Sequence, residues 1–123
     1  MEVKEKEMSE FKLDGKASLL RDGAIKIAQT GSLLEILTTM LAAEWMYLTW
    51  CERASSCNVT GPVKQWVELH LTTDFRKQVS WLQKRTNELG AKASSDLQEV
   101  CAQHFKNMLK WEIAFHHFPY ENL

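Results

Sequence analysis

Two glutamates stand on helix faces that are otherwise apolar. Leu33, Leu37, Met40, Glu44, Tyr47 and Cys51 recur at steps of four, three, four, three and four, the spacing of one α-helical face. Glu44 falls in the middle of that stripe. Near the C-terminus, Leu97, Cys101, His104, Met108, Trp111, Glu112 and Phe115 share a second face, and Glu112 falls inside it. A carboxylate on an apolar face costs free energy unless it finds a partner. One such acid reads as half of a structural ion pair. Two, on helices that face each other, read as carboxylates converging on a pocket. There they can divide acid and base roles if their surroundings push their pKa values apart.

Other chemistries fit less well. Glu112 and His116 lie one turn apart, but di-iron bundles use Glu-x-x-His on two helices plus further inward acids. The spacing here is Glu-x-x-x-His, and only Glu44 and Glu112 face inward, so no metal and no cofactor are expected. His116 and His117 read as cations at a helix C-terminus, and His104 as a hydrogen-bonded core histidine. Cys51, Cys57 and Cys101 form no CxxC pair and read as reduced thiols, two of them filling helix faces. No glycine-rich phosphate loop, GxSxG elbow or zinc spacing occurs.

The totals narrow the classes further. The chain has 123 residues, 45% apolar and 25% charged, with a formal charge of −1, which suits one soluble domain. That charge gives no reason to expect nucleic acid or an anionic membrane as partner. No apolar run is long enough to span a bilayer, and MEVKEKEMSE does not read as a signal peptide, so a cytoplasmic location is expected.

The elements that must position the glutamates are helices. Residues 1–15 alternate acid and base and read as an irregular leader, with a helical domain over 16–120. Leu20, Ala24 and Ile27 predict a first helix from about Ala17 to Gln29. Ser32 and Glu35 form a capping box for the long helix that carries Glu44. Pro62 suits the first turn of a third helix, on which Val63, Trp66, Val67 and His70 share a face. Thr73 is expected to cap a further helix carrying Phe75, Val79 and Leu82, with Gly90 as its stop. Ser95 and Gln98 predict a box for the last helix, and Pro119 its end. Trp45, Trp66, Trp81 and Trp111 read as core or groove lining. The sum is an all-α, up-and-down helical bundle.

The order Gly31-Ser32-Leu33-Leu34-Glu35, Glu44-Trp45-x-Tyr47, Trp66-Val67, Thr73-Asp74-Phe75 and Glu112-x-x-Phe115 resembles the C-terminal half of TenA, or thiaminase II, proteins. These are relatives of the pyrroloquinoline-quinone synthase PqqC on the haem-oxygenase-like fold, and the resemblance runs over roughly residues 18–118. It implies a pocket for 4-amino-2-methylpyrimidines in which water replaces an amine on the ring's methylene group, a step in thiamin salvage.

The resemblance also implies roles for particular residues. Glu112 matches the catalytic acid/base glutamate, Phe115 the neighbouring pocket aromatic, and Tyr47 the tyrosine one turn after the nucleophile position. Ala43 stands where the common form has a nucleophilic cysteine, whereas Glu44 matches a cysteine-less branch with a glutamate next door. Leu20 and His70 stand where many members have pocket tyrosines. The expected site therefore has Glu44 deprotonating water, Glu112 protonating the leaving amine and Tyr47 orienting the ring. Phe115 and Trp66 would be its apolar walls, with His70 beside them. The family's N-terminal half, with the aspartate that holds the aminopyrimidine edge, has no counterpart here. The expectation is a truncated product, or a second copy or chain completing the site by self-association. The alternative is a non-catalytic helical binding or assembly module.

Overall fold

The computed structural model describes residues 15–117, and side chains from Ser18 onward. Of the expected leader over residues 1–15, only Gly15 is described, and it begins the first helix; the rest of the leader and the end at Pro119 lie outside the described residues. Five helices follow in order: α1 (Gly15–Thr30), α2 (Leu33–Ala54), α3 (Gly61–Leu69), α4 (Thr73–Lys92) and α5 (Ser95–His117). The all-α, up-and-down expectation holds.

Helix α2 is the centre. It packs against α5 and α4 along much of its length, and against α1 and α3 at its ends, while α1 packs against α5. Residue pairing gives the directions. Glu35 meets His104 and Tyr47 meets Glu112, so α2 and α5 run parallel. Glu52 meets Arg76, whereas Leu37 and Leu41 cluster with Leu82 and Leu89, so α4 runs antiparallel to α2.

Because α2 is covered from two sides, its buried arc is wider than a single stripe. Leu34, Leu37, Thr38, Leu41, Ala42, Met46 and Cys51 are buried along it. Leu33 and Met40, expected on the buried face, are instead 59% and 44% exposed. The helix is rotated so that the neighbouring Leu34 and Leu41 face inward. Thr38 and Thr39 are buried without penalty, because their hydroxyls donate to the carbonyls of Leu34 and Ile36 within the helix. Ile27 on α1, Val67 on α3, Val79 and Leu82 on α4, and Cys101 and Met108 on α5 complete the core. Trp81, expected in the core or a groove, is 56% exposed on the outer side of α4.

The caps fall close to expectation. Ser32 and Glu35 form the reciprocal capping box of α2. On α4 the cap is Thr72, whose hydroxyl accepts from Phe75 N–H, rather than Thr73. On α5 it is Ser94, whose hydroxyl accepts from Leu97 N–H, rather than Ser95. Gln98 reaches back to donate to the Gly90 carbonyl, tying the two helices together. Gly90 does not stop α4, which runs on to Lys92. At the α1–α5 contact, Gly23 lies under the Trp111 ring, and a Cβ there would clash with it. That close approach explains a glycine in mid-helix.

Candidate functional site

The C-terminal half of α2 places Tyr47 against the C-terminal half of α5. The Tyr47 hydroxyl donates to Glu112 Oε2 at 2.6 Å. Glu112 is only 4% exposed, so this short bond meets a carboxyl group that water barely reaches. Burial, and then the bond to Glu112, push the Tyr47 hydroxyl well above the usual phenol range. It therefore stays a donor at any physiological pH.

Around Tyr47 the rings gather. Trp50 lies 6.2 Å away, Trp66 5.9 Å, His70 5.7 Å and His116 5.8 Å, centroid to centroid. His70 is held at the end of α3, with Nδ1 2.7 Å from the Trp66 carbonyl and its ring 4.4 Å from Trp66 and 5.1 Å from Phe75. The short helix α3 is started by Gly61, whose φ of +64° only glycine adopts without strain, followed by Pro62. That turn seats Val67 in the core and brings Trp66 and His70 over Tyr47.

Glu44 stands one turn before Tyr47. It is partly buried and makes no side-chain hydrogen bond among the described residues. Burial pushes its carboxyl above the usual range, His70 opposes the shift, and the Glu112 charge adds to it. Glu44 thus lies within electrostatic reach of both His70 and Glu112. Of the six residues expected at the site, Glu44, Tyr47, Trp66, His70 and Glu112 come together. Phe115 sits at the edge, 39% exposed, with its ring 5.6 Å from His116.

His116 departs from expectation. It does not turn outward to cap the helix: its Nε2 is buried, 3.5 Å from Glu112 Oε2. That distance is within ion-pair range, but the atom has no partner of hydrogen-bonding geometry. Trp50, 5.3 Å from the same ring, was also not anticipated at the site. The one-turn spacing from Glu112 to His116 is plain in the sequence, but the ring's direction depends on Tyr47 and Trp50 across the helix interface. His104 behaves as expected, with Nε2 3.0 Å from Glu35 Oε1.

Among the described residues, no group of three or more His, Cys, Asp or Glu is arranged to hold a metal ion. Cys51 and Cys101 are buried, and burial pushes both thiols up, so neither is poised as a thiolate. Neither Glu44 nor Glu112 lines a cavity of about 640 Å³ beside α2. Leu34, Leu41, Trp45 and Phe105 line it, between α4 and α5. No described helix is long and apolar enough to cross a membrane.

The sequence matches a family model described as the TENA/THI-4/PQQC family over residues 1–121. No curated protein and no solved structure gives a significant match.

Proposed function

Because this chain belongs to the TENA/THI-4/PQQC family, we propose that it is a TenA-like aminopyrimidine hydrolase of the thiaminase II type. It replaces an amine on the methylene group of a 4-amino-2-methylpyrimidine with water, and it does so without a covalent intermediate. One observation carries this reading: Glu112 is buried and bonded to Tyr47, while Glu44 beside it has no hydrogen-bond partner in the described protein. A carboxylate in that position is free to engage a ligand or a water.

In this reading Glu44 is the base and Glu112 the acid. Burial makes the Glu44 carboxylate a stronger base than an exposed one, suited to taking a proton from water. Tyr47 holds the Glu112 carboxyl in place through Oε2, and that carboxyl carries the proton for the departing amine. Trp66 and His70 supply flat surfaces for a heteroaromatic ring, with Phe115 at the rim. Ala43 offers no nucleophile. A pyrimidine so bound needs no cofactor.

The test is turnover of aminomethyl- and formylaminomethyl-pyrimidines by the chain as it stands, with and without iodoacetamide. Hydrolysis that survives alkylation supports the direct-water mechanism. Loss of activity on alkylation, or a pyrimidine adduct by mass spectrometry, would overturn it.

A second reading is favoured by the apolar cavity between α4 and α5, which neither Glu44 nor Glu112 lines. In it the chain is a non-catalytic binding or assembly module that joins a second copy or another chain through that face. Light scattering decides: a monodisperse monomer at high concentration counts against it, and a stable dimer supports it. A cytoplasmic location accords with either reading.

A further inference from the structure

We propose that Glu112 and His116 form a proton-sharing pair through which the buried end of the site exchanges protons with solvent. The catalytic consequence rests on the hydrolase reading; the pair itself does not. The His116 side chain is 38% exposed, yet its Nε2 is fully buried and lacks a hydrogen-bond partner. The imidazole therefore spans the wall of the site, one nitrogen inside and the rest of the ring towards solvent. Its inner nitrogen faces Glu112 Oε2 at 3.5 Å, and edge-to-face contacts with Tyr47, Trp50 and Phe115 hold the ring there.

A histidine placed only to complement a helix dipole would turn to the free carbonyls and water. This one turns to a buried carboxylate. The other titratable groups nearby are Glu44 and Tyr47 on α2, His70 at the end of α3 and His117 on α5. No lysine or arginine among the described residues pairs with Glu112 or His116, so the imidazole is the one basic side chain in contact with that carboxyl group.

Turnover would leave Glu112 without the proton it has given to the amine and Glu44 holding the proton taken from water. A proton from solvent converts His116 to imidazolium. Its Nε2–H passes to Glu112 Oε2, restoring the carboxylic acid and leaving a neutral ring, while Glu44 returns its proton to water. The ring is then reset by turning into the adjoining cavity of about 270 Å³, lined by Trp50, Ile113 and His117. His116 acts here through Glu112, as a positioning residue for its proton.

Long-range proton–nitrogen correlation spectra of the labelled full chain test the pair directly, with His116→Gln used for assignment. The His116 Nε2 resonance is expected to move when Glu112→Gln replaces the carboxylate by an amide, while that of His104 stays put. An unmoved Nε2 overturns the pair. In turnover, His116→Ala should lower kcat about tenfold or more with KM little changed, and added imidazole should restore it. Wild-type kcat in His116→Ala, or failure of imidazole to rescue, overturns the relay. Should His116→Ala not fold, the same comparison is made with His116→Gln. A wild-type chain inactive on every aminopyrimidine overturns the hydrolase reading, and the spectra still decide the pair.

Discussion

Helix α5 carries two carboxylate–histidine contacts, one at each end of its packing against α2, and they are built differently. At the first, Glu35 is fully occupied. Its Oε2 accepts from Ser32 N–H in the capping box and its Oε1 meets His104 Nε2 at 3.0 Å. The Ser32 backbone bond, and then His104, hold its carboxyl below the usual range. At the second, Glu112 takes one short bond from Tyr47, while His116 Nε2 and the neighbouring Glu44 are left without hydrogen-bond partners. Folding tolerates an unmet buried polar atom only at a cost of about 1–3 kcal/mol. The first pair needs nothing further, whereas His116 Nε2 at the second is open to a further partner.

The comparison is broken or upheld most sharply by Glu112→Gln against Glu35→Gln. Glu112→Gln is expected to lower pyrimidine turnover by about 10²–10⁴-fold, because the amide keeps the shape but cannot donate the acid proton. Glu35→Gln should leave turnover near wild type and instead cost about 1 kcal/mol of stability in urea unfolding, through a weakened cap and a weakened tie to α5. Equal loss of turnover in both variants would erase the distinction between the two ends.

Glu44→Gln comes next. It should lower kcat by about 10²-fold with KM little changed, since a neutral amide can still contact the ring but cannot take a proton from water. Wild-type turnover in this variant would leave Glu112 alone at the site and end the two-carboxylate mechanism.

The difference between the two ends also governs what could be read from the chain. The Ser32–Glu35 box is local, set by four consecutive residues, and it was legible. The caps of α4 and α5 were legible only to within a residue, since Thr72-Thr73 and Ser94-Ser95 each offer two equivalent hydroxyls. Which one caps depends on where the chain turns into the helix. Glu112 stood out because an acid inside an apolar stripe is anomalous whichever way the helix rotates. The rotation of α2 did not stand out: Leu33 and Leu34, or Met40 and Leu41, satisfy the same period, and contact with two neighbouring helices decides between them. His116 was visible as a neighbour of Glu112, but a ring direction fixed by Tyr47 and Trp50 from another helix is a tertiary fact.

The smallest expected effect is the pH dependence of stability, and its sign differs between the two ends. Glu35 has a lowered folded pKa, so its contribution is fully present above the ordinary carboxylate value and is lost as pH falls through the folded one. Glu44 has a raised folded pKa, so the folded state holds its proton longer. Its ionisation removes stability as pH rises from the ordinary value through the raised one. Urea unfolding from about pH 3 to about pH 8 should therefore show opposite trends. The deficit of Glu35→Gln relative to wild type should be widest near neutrality and shrink in acid. Glu44→Gln should match wild type in acid and gain on it towards neutrality, by a margin that solvent screening keeps small because Glu44 is only partly buried. Parallel curves for the two variants would mean that Glu44 is as well solvated or as well paired as Glu35. The unmet carboxylate on which the site depends would then not exist.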